Sequence, residues 1–260
     1  MSRSAKAEGR GRVAIVTGGA RGIGRAIAER LAKQTKCRVV ITDVDARGKE
    51  VAESLKGYFI QADLSKPEDC RMVVRKTVEK FGTVDILVNN AGIQHISPIK
   101  DFPDEAWDRI MAVMLRAPFI LTKAVWPIME AKKRGRIVNI ASVHGLVASA
   151  SKSAYVSAKH GLVGLTKVAA LEGGSVGITV NAVCPAYVKT DLVSGQVKDQ
   201  AKTHGIRESE VLDRVFLEKA AVKRLIEPDE VAALVCYLCS DEASAMTGSA
   251  IPIDVGWMAR

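Results

Sequence analysis

The sequence predicts a single doubly wound α/β domain, a Rossmann-type parallel sheet of about seven strands with helices on both faces. Three observations carry that expectation. Strand and helix patterns alternate along the chain, which is how a parallel sheet acquires helical cover on each side. The chain opens on a strand, a glycine-rich turn and a helix. Its 260 residues, 48% of them hydrophobic, can bury a full core and suit one domain better than two.

Taken in order, the leading residues MSRSAKAEGRGR set Arg3, Lys6, Arg10 and Arg12 against one acid, Glu8, with Ser and Gly between. Residues 1–10 are therefore expected to form a flexible tail and 11–260 the domain. Residues 13–17, VAIVT, are apolar or β-branched and predict a buried strand. Glycines follow at once, and Ile23, Ile27 and Leu31 recur at helical spacing. Further strands are predicted at 38–42, 57–61, 86–89, 136–140, 179–183 and 250–253, with helical patterns between them. Segment 190–224, polar and rich in Lys and Glu, reads as helical, either a lid over the site or an ordinary surface insertion.

Composition excludes several function classes. The net charge is +9 with a pI near 9.4, yet outside the tail and 132–136 the basic residues are interspersed with acids. No stretch interleaves aromatics with Arg or Lys, so no nucleic-acid partner is expected. Apolar stretches look far short of a membrane span and the leading residues lack the apolar centre of a signal peptide, which predicts a cytoplasmic protein without a membrane partner. The five cysteines are odd in number and scattered, as suits a reducing compartment. Cys236 and Cys239 form a C-x-x-C, but in EVAALVCYLCS they share one helix face and read as core. No His pair has ligand spacing, and no metal is expected.

The chemistry-bearing residues lie further along. Tyr155 and Lys159, in SKSAYVSAKHGLVGLTK, are four apart and share one helix face. A tyrosine titrates near pH ~10, and one ammonium at ~4 Å with an effective dielectric of ~20 supplies the ~4 kcal/mol that would bring it to about 7. Ser142 follows the apolar run IVNIA. At the other end of the chain, Gly18, Gly22 and Gly24 leave room for a pyrophosphate against the backbone, whose charge the helix start offsets. Asp43 closes the second strand, where a carboxylate accepts from ribose hydroxyls and repels a 2′-phosphate. That points to NAD. Arg21 and Arg47 stand against it, since either guanidinium could pair with the phosphate of NADP, and Asp43 could instead cap the next helix.

TGGARGIG, then NNAG at 89–92, then Ser142, then Tyr155-x-x-x-Lys159, resemble the short-chain dehydrogenase/reductase family in order and separation over nearly all of the chain after about residue 11. The segments NNAGIQHISPI, ASVHGLVAS, SKSAYVSAKHGLVGLTK and SGQVKDQAKTHGI resemble the D-3-hydroxybutyrate dehydrogenases within it. The family resemblance implies catalysis by Ser142, Tyr155 and Lys159, with Tyr155 as acid/base, Ser142 holding the substrate oxygen and Lys159 bonding the nicotinamide ribose. It implies a dinucleotide held by Gly18, Arg21, Gly22, Ile23 and Gly24 of the turn, by Asp43, and by Asp63 and Leu64 beside the adenine. Asn90, Ala91 and Gly92 would line the adenosine side, with Tyr155, Lys159, Pro185, Val188 and Thr190 at the nicotinamide end.

The narrower resemblance implies that Gln94, His144, Lys152 and Gln196 hold a substrate carboxylate, with Tyr187 and Trp257 closing the apolar side next to Ser142 and Tyr155. The expected activity is NAD-dependent interconversion of D-3-hydroxybutyrate and acetoacetate by a homotetramer. The alternatives are an NADPH-dependent 3-oxoacyl thioester reductase and a dinucleotide-binding sensor without turnover. Three departures from the family pattern stand out. Met114 replaces an Asn that holds a relay water, Pro185-Ala186 replaces Pro-Gly, and Val255 stands where glycine is common.

Overall fold

The computed structural model describes residues 11–259, so the expected tail, 1–10, lies outside the described residues. Seven strands form one parallel sheet in the order β3-β2-β1-β4-β5-β6-β7. They are β1 Val13–Thr17, β2 Arg38–Asp43, β3 Tyr58–Gln61, β4 Ile86–Asn89, β5 Gly135–Ile140, β6 Ile178–Pro185 and β7 Ala250–Ile253. All seven coincide with the predicted strands, shifted by no more than two residues at any end. The largest shift is at β6, which runs on to Pro185 because Cys184 and Pro185 pair with Pro252 and Ile253 of β7.

Alternation within β1 shows why both faces need helical cover. Ala14 and Val16 enter one core with Ile27 and Leu31 of α1 (Gly22–Thr35) and Val231 and Val235 of α9 (Pro228–Leu238). Val13 and Ile15 enter the other with Val73 of α3 (Pro67–Phe81), Leu121 and Val125 of α5 (Ala117–Ala131) and Ala169 of α6 (Ser153–Gly173). Side chains of a strand alternate between the two faces, so an all-apolar strand is stable only with helices on both. Helix α2 (Gly48–Ser54) packs beside β3, its Gly48 under the Phe59 ring. Burying each Ile or Leu stabilises the domain by roughly 1.5–3 kcal/mol.

α4 (Asp104–Met111), a π turn at Ala112–Arg116 and α5 run on as a single helix of 28 residues, Asp104–Ala131. By length and composition it is apolar enough to cross a bilayer, contrary to the expectation that no stretch would be. More than half of its most apolar window is buried inside the domain, which is what a core helix packed on α3 and α6 requires. The π turn has a local cause: Pro118 has no N–H to offer the Met114 carbonyl four residues before it.

Chain reversal places the site. After β3 the chain crosses back so that β4 lies beside β1, leaving a crevice outside the carboxyl ends of the two strands. Segment 190–224 consists of short broken pieces, of which residues 190–193 and Gln196 border that crevice. Helices α7 (Asp191–Ser194) and α8 (Val197–His204) stop at Gly195 and Gly205, and a 3-10 turn at Glu208–Glu210 and a π turn at Leu212–Phe216 follow. The helical character expected there is present in pieces, which Gly195 and Gly205 separate.

Candidate active site

The glycine turn and the NNAG segment hold each other. Thr17 Oγ1 accepts from the N–H groups of Asn90 and Ala91 at 2.9 and 3.0 Å, and Asn90 Nδ2 donates to the Thr17 and Gly18 carbonyls at 2.8 and 3.1 Å. A Cβ on Gly24 would sit 2.2 Å from the Gly18 carbonyl oxygen, and one on Gly18, whose φ is +64, would sit 2.9 Å from Ala91 Cα. Only glycine permits this close backbone approach. Asn89 is buried within the sheet, where its Nδ2 donates to Asn139 Oδ1 at 2.8 Å; Asn139 in turn donates to Thr166 of α6.

A single cavity runs from this turn to Tyr155. It is lined by Gly18, Arg21, Gly22, Ile23, Asp43, Asp63, Leu64, Asn90, Ala91 and Gly92 at one end. Gln94, Ser142, His144, Lys152, Tyr155, Lys159, Pro185, Tyr187, Val188, Thr190 and Gln196 line the other. Two sequence candidates stand apart. Gly24 lies beneath the turn, and Trp257 sits behind His144, its ring centroid 5.7 Å away, packed with Val143, Leu217 and Ala220. The expectation that Trp257 closes the pocket is corrected: it backs the residue that does.

Arg109, Val113, Ile140, Asp191, Leu192 and Val193 also line the cavity and went unnoticed in the sequence. Ile140 ends β5 two residues before Ser142, and the other five lie on helix turns; only such neighbourhood could have indicated them.

At the dinucleotide end Asp43 Oδ2 accepts from Ala20 N–H at 3.0 Å and Oδ1 from Asp45 N–H at 3.1 Å, so the carboxylate both braces the turn and faces the cavity. Arg21 pairs with Asp191 at 3.4 Å, and Arg47 with Asp45 at 2.5 Å. Asp63 is fixed by its neighbours: Asp69 accepts its N–H, and its Oδ1 accepts from the Ser65 hydroxyl and N–H. Those bonds hold its carboxyl below the usual range, the Ser65 hydroxyl contributing most.

At the reaction end Ser142 leaves β5 in extended conformation. Its Oγ accepts from His144 N–H at 3.1 Å and donates to the Pro185 carbonyl at 3.3 Å. Tyr155 and Lys159 share the inner face of α6, with the ammonium 5.6 Å from the phenol ring centre. Lys159 Nζ donates to the Ile140 carbonyl at 2.5 Å, and burial pushes its pKa down to about 8.

Burial also pushes the Tyr155 phenol up, an effect the Ser142 hydrogen bond only partly offsets. The expectation that one ammonium brings the phenol to about 7 is not met by the protein alone, because desolvation outweighs a cation that reaches past the ring to a carbonyl. Met114 is buried against Ile110, Ala154 and Ala158; its thioether offers no donor to this network. Val255 has φ +52, a left-handed conformation that strains a β-branched residue, while its carbonyl accepts from Ala221 and Val222.

Beside Tyr155, Lys152 is only 3% exposed. Its Nζ donates to Tyr187 Oη at 3.3 Å and lies 5.2 Å from that ring's centre. No carboxylate pairs with it among the described residues, and burial pushes its pKa down to about 8. Tyr187 stacks on Phe216, centroids 4.5 Å apart. Gln94 accepts the His95 N–H with its amide oxygen, leaving its amino group for the cavity. Gln196 does the reverse: its Nε2 donates to the Leu192 carbonyl at 2.8 Å and its Oε1 is buried without a partner.

A family model described as enoyl-(acyl carrier protein) reductase matches residues 18–258. The D-beta-hydroxybutyrate dehydrogenase of Rhizobium meliloti (strain 1021) is 45% identical over 257 residues, covering 96% of this chain and 99% of that one. The chain belongs to the short-chain dehydrogenase/reductase family. Another relative, the 3-oxoacyl-[acyl-carrier-protein] reductase FabG of Vibrio cholerae, is 36% identical, covering 95% of this chain and 97% of that one. Among solved structures, a variant actinorhodin polyketide ketoreductase with NADPH superposes with a TM-score of 0.90 at 33% identity, covering 95% of this chain and 97% of that one.

Members of this family bind a nicotinamide dinucleotide, and the turn where Gly18 and Gly22 line the cavity with φ +64 and +55, free of side chains, fits its pyrophosphate. Bound there, the dinucleotide supplies the hydride acceptor and, when oxidised, a positive charge that favours tyrosinate. The arrangement can orient a hydroxyl or carbonyl between Ser142 and Tyr155 and exchange one proton at the phenol oxygen, with Lys159 on the same helix face. The C-x-x-C takes no part. Cys236 and Cys239 are buried free thiols, both pushed up by burial.

Proposed function

We propose that the protein is an NAD-dependent dehydrogenase that oxidises D-3-hydroxybutyrate to acetoacetate and runs in reverse with acetoacetate. The observation that carries the substrate assignment is Lys152, a buried ammonium in the cavity wall without a carboxylate partner among the described residues. A buried unpaired charge costs several kcal/mol, and a small carboxylate beside His144 and Tyr155 offsets that cost. Gln94 adds its amino group, and Gln196 does so once its amide turns from Leu192. In the proposed reaction the substrate hydroxyl gives its proton to Tyr155 while Ser142 holds the same oxygen, and the carbinol hydrogen leaves as hydride.

The preference for NAD rests on charge. Asp43 faces the cavity, and both guanidinium groups near the ribose end, Arg21 and Arg47, already have carboxylate partners. Segment 190–224 serves as the substrate lid of the domain 11–260. We assign the working form as a cytoplasmic homotetramer that uses the exposed Phe119 of α5 and Val168 and Leu171 of α6 as an interface. The similarity to FabG supports a second possibility, an NADPH-dependent 3-oxoacyl thioester reductase.

One comparison separates the two. Initial rates with D-3-hydroxybutyrate, its L enantiomer and its methyl ester, each with NAD and NADP, are expected to favour the D acid with NAD by at least about tenfold in kcat/KM, or ~1.4 kcal/mol. An ester that reacts as well as the acid removes the carboxylate site and favours the thioester reductase; equal rates with the two cofactors remove the NAD assignment.

A further inference from the structure

We propose that Ser149 is a positioning residue that sets His144 as a hydrogen-bond donor to the substrate carboxylate, an inference that rests on the carboxylate assignment above. His144 is buried and walled edge-on by three rings, Tyr155, Tyr187 and Trp257, with centroids 6.1, 6.4 and 5.7 Å away. Burial first, and the Lys152 ammonium second, push its pKa down to about 3. The ring is therefore neutral and offers one N–H and one lone pair. Its Nε2 lies 2.8 Å from Ser149 Oγ. His144 lines the cavity, so Nδ1 is the nitrogen left for an occupant.

The tautomer decides what that occupant meets. When the Ser149 hydroxyl donates to Nε2, the ring proton sits on Nδ1 and points a donor at the cavity. When the hydroxyl accepts instead, Nδ1 presents a lone pair, which a carboxylate oxygen repels. An anion held by Lys152 thus selects the Nδ1–H form, and only a partner able to donate to Nε2 completes it. Ser149 suits this because it lies in the loop between the 3-10 turn Val143–Gly145 and α6, partly exposed, so its hydroxyl can rotate with water as a second partner. It does not line the cavity, and its effect reaches the substrate through His144 alone.

The test uses the full-length enzyme saturated with NAD, and the variants S149A and S149T. Removing the hydroxyl is expected to raise both the KM for D-3-hydroxybutyrate and the inhibition constant of acetate about tenfold, the scale of one hydrogen bond to a charged group. Turnover at saturation stays within about twofold, and threonine, which keeps the hydroxyl, restores both constants. Nitrogen NMR of His144 with acetate bound is expected to find the proton on Nδ1 in the wild type and shared between the nitrogens in S149A. Unchanged KM and acetate inhibition in S149A, failure of S149T to restore them, or a fall in kcat alone overturns the proposal. If the wild type itself fails to prefer the acid over its methyl ester, the carboxylate assignment has failed. If that preference stands while S149A behaves as wild type, Ser149 alone is removed.

Discussion

In the proposed reaction two ammonium groups, Lys152 and Lys159, and one phenol, Tyr155, carry the chemistry at the residue scale, and burial governs all three. Tyr155→Phe removes the hydroxyl proposed to take the substrate proton while leaving the dinucleotide cradle at Gly18 and Asn90 intact. Its kcat is expected to fall by at least about a hundredfold with dinucleotide affinity unchanged, as read from initial rates and a fluorescence titration. A variant that keeps more than about a tenth of the activity, a deficit under ~1.4 kcal/mol, removes Tyr155 from the acid/base role.

Lys152 makes a pH prediction. Its pKa is depressed to about 8 by burial, so the group is charged below that value and neutral above it, and a carboxylate loses its partner as pH rises. KM for D-3-hydroxybutyrate should be flat at lower pH and climb about tenfold per unit above about pH 8. In Lys152→Met it should be high and flat across the same range. A wild-type KM that does not change through pH 8 would show that the ammonium does not hold the substrate.

Among the elements, the glycine turn is the one with no slack. A Cβ at position 24 meets the Gly18 carbonyl oxygen at 2.2 Å, and that oxygen is held in place by Asn90 Nδ2, next to the end of β4. Gly24→Ala is therefore expected to cost about 1–3 kcal/mol in urea unfolding and to weaken dinucleotide binding in the same titration. Wild-type values for both would mean that the turn can shift. The π turn before α5 was not readable from periodicity, because it adds one residue to one turn without disturbing the apolar stripe. Its cause, Pro118, is visible in the sequence only once α4 and α5 are known to be continuous. Segment 190–224 reads as helical from its Lys and Glu content, and its division into short pieces follows from Gly195 and Gly205.

For the molecule as a whole, exposed apolar side chains on α5 and α6 bear on assembly. Leu171 is 85% exposed and Phe119 50%, and the proposed tetramer would cover them. Leu171→Asp places a charge in that interface and is expected to shift the sedimentation velocity profile to smaller species without loss of helix signal. A variant that sediments as the wild type places the interface elsewhere.

Local rules specify the seven strands, their parallel arrangement, the glycine cradle and the Ser142, Tyr155 and Lys159 set: apolar runs, side-chain spacing on a helix and the need for glycine under a pyrophosphate are all legible along the chain. Which charges are buried was left to tertiary packing. It raised the Tyr155 phenol where a neighbouring cation had been expected to lower it, left Lys152 without a carboxylate, turned the Gln196 amide to Leu192 and put Trp257 behind His144. The physical reason is that desolvation and hydrogen-bond pairing depend on atoms from distant segments, here β5, β6, segment 190–224 and the C-terminal turn, and no spacing along the chain records them.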